Sequence, residues 1–109
     1  MGTTRKQGSL YTRLSGPLAI VEFGHPASNS LNSELLSRLC GELESLGKNP
    51  EIAAILIQSE GDRAFCAGAS FDELLEVSTP EQSAAFFDGF ARLINTMRTC
   101  PRPIVCRVD

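Results

Sequence analysis

The strongest constraint on folding is a change of hydrophobic period in the first half of the chain. Leu18-Ala19-Ile20-Val21-Glu22-Phe23 and Ala53-Ala54-Ile55-Leu56-Ile57 are apolar, β-favouring runs. Between them Leu31, Leu35, Leu36, Leu39, Cys40, Leu43 and Leu46 recur at spacings of three and four. That spacing puts them on one helical face. The stripe covers too few heptads for a zipper and a strand follows at once, so it reads as core. Asn32 is a suitable N-cap, Glu34 favours the helix dipole, and Gly47 with Asn49-Pro50 supplies the stop, which predicts a helix over Ser33–Leu46. Strand, helix and strand in this order predict a right-handed crossover onto a partly parallel sheet. The run Ala53–Ile57 reads as a strand buried on both faces.

The remaining elements extend this α/β pattern. Leu10–Leu14 and Leu18–Phe23, joined by Ser15-Gly16-Pro17, predict a hairpin. Thr79-Pro80-Glu81-Gln82 has the form of a capping box with proline at the first helical position. The helix it opens, Pro80–Thr99, carries Phe86, Phe90, Leu93, Ile94 and Met97 on one side and ends before Pro101. These aromatics read as core. Ile104–Val108 reads as a last strand, with Pro103 at its start. Residues 1–9 read as a mobile tail and residues 10–109 as one folded unit, within the size of a single domain.

Composition narrows the function. Of 109 residues, 42% are hydrophobic and 21% charged, and the formal net charge of −3 gives no electrostatic ground for nucleic-acid binding. Neither a signal-peptide apolar run nor a membrane-spanning stretch is present, so no membrane partner is expected and the cytoplasm is the expected compartment. Cys40, Cys66, Cys100 and Cys106 form no C-x-x-C pair and have no neighbouring histidine; they read as buried free thiols, with no metal site and no bound prosthetic group expected. Cys66 lacks a following histidine to activate it, so packing is its expected role rather than nucleophilic attack. His25, the single histidine, falls in the turn-like Gly24-His25-Pro26-Ala27-Ser28-Asn29 and reads as a solvated turn residue.

The chemistry-bearing stretch is Arg63-Ala64-Phe65-Cys66-Ala67-Gly68-Ala69-Ser70-Phe71, a small-residue loop between a strand end and a short helix start. Backbone N–H groups at such a junction lack intrahelical partners, and Gly68 between two alanines lets a ligand approach the main chain, which suits an oxyanion. Asp72 and Glu73 read as first-turn acids favoured by the dipole rather than as acid/base catalysts. Arg63, Arg98 and Arg102 are candidates for phosphate contacts but read first as solvated surface charges.

The run Ala64–Ser70, with Ile55-Leu56-Ile57 before it, resembles the signature of the enoyl-CoA hydratase/isomerase (crotonase) superfamily. Asn29-Ser30-Leu31, the Phe86–Met97 helix and Pro101-Arg102-Pro103-Ile104-Val105 follow in family order. The resemblance implies an incomplete crotonase-like (ClpP/crotonase) superhelix of strand-strand-helix units, the N-terminal part of a larger member. It implies that the Ala69 N–H, set by Gly68, is one donor of an oxyanion hole for a thioester enolate. It further implies that the Ala67 carbonyl accepts from the coenzyme A adenine, and that Ala27, Ser28 and Phe71 help wall the substrate. Coenzyme A enters as the substrate carrier, and a homotrimer or hexamer is implied for the full-length protein. Ser70 departs from the family pattern, where aspartate is common, and the family's second oxyanion glycine and its proton-handling acids have no counterpart here. A non-catalytic acyl-CoA-binding or assembly module that keeps only the half-site is the alternative.

Overall fold

Four strands form one sheet in chain order: β1 (Ser9–Ser15), β2 (Leu18–Gly24), β3 (Ala54–Ser59) and β4 (Ile104–Cys106). Three helices connect them: α1 (Ser33–Gly47), α2 (Phe71–Leu75) and α3 (Pro80–Thr99). The architecture is that of a computed structural model, which describes residues 8–61 and 64–108 and, at Phe71, the backbone alone. β1 and β2 form the expected antiparallel hairpin, while β2–β3 and β3–β4 pair in parallel. Parallel neighbours need a crossover, and α1 makes the first, with α2 and α3 in the second.

The helices α1 and α3 lie over one face of the sheet. Ala19, Val21 and Phe23 of β2 and Ile55 and Ile57 of β3 point into a core completed by the Leu31–Leu46 stripe and by Leu93 of α3. The opposite face carries Leu18 and Ile20, Ala54 and Leu56, and Val105, aligned across the strands. Leu56 is half-buried and Val105 is 59% exposed, so β3 is not covered on both faces as its sequence predicts. Its continuous apolar run reflects a second apolar face without a helix over it.

Three further expectations shift. Gly8 and Ser9 are buried, Ser9 pairs with Gly24 and its Oγ donates to Glu60 at 3.1 Å, so the expected tail is shorter; residues 1–7 lie outside the described ones. The final strand ends at Cys106 rather than Val108 and leaves Cys106 exposed, whereas Cys40 is buried and Cys66 and Cys100 are partly so; all four are free thiols. In α3, Ile94 is 60% exposed and Thr96 is buried. The buried stripe runs Phe86, Leu93, Thr96, and Ile94, one residue past Leu93, is turned by about 100° from it.

Caps follow the sequence closely. The Asn32 side chain accepts from the Leu35 N–H at 2.8 Å and the Thr79 hydroxyl from the Gln82 N–H at 3.1 Å. The Gln82 side chain reaches back to the Ser78 N–H at 2.8 Å, one residue earlier than the expected capping box requires. Among the described residues, no helix is long and apolar enough to cross a membrane.

Candidate active site

The small-residue loop is held against the core from both ends. Phe65 sets its ring edge-on to Phe23 of β2, with centroids 5.3 Å apart, which anchors the entry to the loop. Three residues on, Gly68 has φ of +97°, a conformation that a side chain strongly disfavours, and a Cβ there would meet nothing within 4 Å. Glycine is therefore required by the backbone rather than by crowding, and the space beside it is open. The Cys66 sulfur accepts from the Gly68 N–H at 3.3 Å, so Cys66 packs and braces the turn.

The loop then docks on Leu31, the residue before the α1 cap. Leu31 donates its N–H to the Gly68 carbonyl at 2.8 Å, and its own carbonyl accepts from the Ser70 N–H at 2.9 Å. This is a parallel bridge between Leu31 and Ala69. In such a bridge the flanking groups make the bonds, and the N–H of the central residue points the other way. The Ala69 N–H consequently has no partner among the described residues. Ser70 caps α2, its Oγ accepting from the Glu73 N–H at 3.3 Å, so aspartate is not needed there.

Sequence singled out Ala27 and Ser28, and both are exposed in the turn that leads to Leu31. Ser28 has φ of 54°, and the Ala27 N–H donates to His25 Nδ1 at 3.0 Å, which makes His25 a turn-fastening residue. Ala67 is exposed on the loop. The Phe71 side chain lies outside the described residues, as do Arg63 and Asp62. Arg98 and Arg102 do not approach the loop. They line an open groove of about 610 Å³ between the end of α3 and β4, and Arg102 donates to the Asn49 carbonyl at 3.2 Å.

Beside the loop lies a cleft of about 400 Å³ lined by His25, Asn32, Glu34, Ser70, Asp72, Glu73 and Glu76. Its carboxylates oppose phosphate binding there. Glu73 already has a task, because its Oε1 accepts from the Ser33 N–H of α1 at 2.8 Å and ties α2 to the start of that helix. No group of metal-ligating side chains forms among the described residues. Sequence reading missed this Glu73 link and also the role of Asn29, which is wholly buried. The one local signal for Asn29 was its place in a Gly-Pro-Asn turn, since asparagine tolerates the left-handed region.

A mixed sheet with helical crossovers defines an α/β protein, and its small-residue loop presents, beside a positive-φ glycine, a backbone N–H without a partner among the described residues. Residues 20–109 match the family model for enoyl-CoA hydratase/isomerase, and the chain belongs to that family. It is 25% identical over 83 residues to 6-oxocyclohex-1-ene-1-carbonyl-CoA hydrolase of Syntrophus aciditrophicus, covering 74% of this chain and 22% of the relative. It is 30% identical over 81 residues to mitochondrial methylglutaconyl-CoA hydratase of Homo sapiens, covering 74% of this chain and 24% of the relative. The crystal structure of an enoyl-CoA hydratase from a Polaromonas species superposes with a TM-score of 0.83 at 27% identity, over 92% of this chain and 40% of that one. The fold is thus that of the crotonase enzymes, and the chain spans less than half the length of these relatives.

Proposed function

We propose that this chain is the acyl-CoA-binding part of an enoyl-CoA hydratase/isomerase-family enzyme, in which the Ala69 N–H stabilises a thioester enolate. One observation carries the reading: the Leu31–Ala69 bridge engages Gly68 and Ser70 and leaves the Ala69 N–H, beside an open Gly68, without a partner among the described residues. When the α-carbon of an acyl thioester loses a proton, or its β-carbon is attacked, negative charge develops on the thioester oxygen. A fixed N–H meets that charge without reorganising, and one such donor contributes roughly 3–4 kcal/mol to the transition state.

In this reading the Ala67 carbonyl accepts from the adenine amino group of coenzyme A. Ala27, Ser28 and Phe71 wall the carrier, and Gly68 sets the donor's direction. Coenzyme A is the substrate carrier rather than a resident cofactor. The acids that move protons, and a second oxyanion donor, belong to the complete enzyme, a cytoplasmic homotrimer or hexamer with neither nucleic acid nor membrane as partner.

The test is a titration of the isotope-labelled chain with crotonyl-CoA and, separately, with free coenzyme A. The Ala69 amide resonance is expected to move with the thioester and much less with the free carrier. An Ala69 resonance indifferent to both ligands would remove this loop from the mechanism. In the enzyme that carries this chain, Gly68→Val should lower turnover by about 10²–10³-fold.

A further inference from the structure

We propose that Asn29 is the positioning residue of this loop, clamping its entry so that the Ala69 N–H is held where an acyl oxygen must sit. The proposal rests on the acyl-CoA reading for its purpose, but the clamp itself is a separate claim. Asn29 is 0% exposed, and its amide spends both kinds of hydrogen-bonding capacity on backbone groups, the two it donates to being distant in sequence and the one it accepts from lying in its own turn. Nδ2 donates to the Glu60 carbonyl at 3.1 Å and to the Ala64 carbonyl at 2.9 Å, while Oδ1 accepts from the His25 N–H at 3.0 Å. Two carbonyls on one side and an N–H on the other determine which way the amide faces. One side chain therefore joins the end of β3, the start of the loop and the turn after β2.

Two residues later, Leu31 holds the exit of the same loop through Gly68 and Ser70. The stretch 29–31 grips the loop at both ends, with side-chain bonds at Ala64 and backbone bonds at Gly68 and Ser70. Asn29 itself has φ of 59°, which asparagine tolerates better than most residues. A displaced Ala64 carries Phe65 and the loop with it. Misplacing a reacting group by about 1 Å can cost roughly 10²-fold in rate, so a clamp of this kind matters to a donor that works by position.

Two variants separate the clamp from general stability. Asn29→Asp keeps the shape but sets a carboxylate oxygen against two carbonyls, and Asn29→Gly keeps the backbone conformation while deleting the clamp. Native-state amide exchange of the whole chain is the first readout. Exchange at the Leu31 and Ser70 amides should quicken at least tenfold more than at Ile55 and Leu39, in whichever variant folds. Uniform quickening across all four amides would show a merely structural residue and overturn the proposal, as would an unchanged Ser70. The second readout is the ratio of crotonyl-CoA affinity to free coenzyme A affinity. It should fall at least tenfold in the variants, with carrier affinity kept within threefold. If the wild-type ratio is already one while exchange responds as stated, the acyl-CoA reading fails and the clamp stands; if the wild-type ratio is large and the variants keep it, the positioning claim is overturned.

Discussion

Gly68 concentrates the demands of the site into one backbone angle. At φ of +97°, replacing it by alanine strains the main chain by about 1–3 kcal/mol although no atom obstructs the new Cβ. Gly16, at φ of +60° in the β1–β2 turn and equally unobstructed, is the control, milder because +60° falls in the left-handed region that other residues can enter. Gly68→Ala should lower urea stability at least as much as Gly16→Ala, while only Gly68→Ala should weaken crotonyl-CoA binding. Equal ligand affinity in the two variants would separate this conformation from the site. Cys40 makes a second prediction at this scale. Burial pushes its thiol up from the ordinary value of 9.0, against smaller opposing effects of the Thr96 hydrogen bond and Arg92. The unfolded chain then releases the Cys40 proton more readily than the folded one, so this contribution is complete below about pH 9 and declines as pH rises towards the folded pKa. Urea titrations between pH 8 and 10.5 should show that decline, and Cys40→Ala should flatten it; an identical slope in the variant would count against this assignment.

Among the elements, α3 depends most on its own cap, because its first turns are largely exposed. Thr79→Ala removes the acceptor of the Gln82 N–H and should cost about 1 kcal/mol by chemical denaturation. A change below a few tenths would mean that Gln82 and Ser78 hold this end without Thr79. At the site, α2 is only five residues long, too short for its dipole to do much, and its contribution is mechanical. Through Glu73 it holds the first N–H of α1 and so ties the exit of the loop to the start of that helix. Glu73→Gln keeps an acceptor oxygen and should leave stability within about 0.5 kcal/mol, as is usual for a substitution that preserves local contacts.

For the whole molecule, the second face of the sheet decides behaviour. Among the described residues no helix lies over the face lined by Leu18, Leu56 and Val105, and Ile94, Val105 and Val108 are exposed. Apolar surface of this kind drives association, so the isolated chain should grow in apparent mass with concentration in light scattering and should bind a hydrophobic dye. The same chain should not hydrate crotonyl-CoA at a rate near that of a family enzyme. Water addition needs a group that activates water and a proton source, each contributing roughly 10²–10⁴-fold. Glu73, the carboxylate nearest that role, is already bonded to the Ser33 N–H. Loss of enoyl-thioester absorbance at a full enzymatic rate, abolished by Glu73→Gln, would overturn this assignment.

Element positions were legible because their causes are local. A period of two or of three to four, the caps Asn32 and Thr79, and the use of glycine at Gly68 all arise within a few residues of chain. Parallel pairing was legible too, since a helix between two strands leaves little other choice. What sequence could not show was which partner a group would meet. That Leu56 has no helix over its face, that Thr96 turns inward and Ile94 outward, and that Cys106 is exposed follow from how α1 and α3 lie on one side of the sheet. Asn29 reaches carbonyls 31 and 35 residues away, and Leu31 pairs with Ala69; only closing the chain brings those groups together. The loop's composition was written in the sequence, but that the Ala69 N–H has no partner among the described residues was not, because the Leu31 bridge that takes its neighbours' bonds forms only in the folded chain.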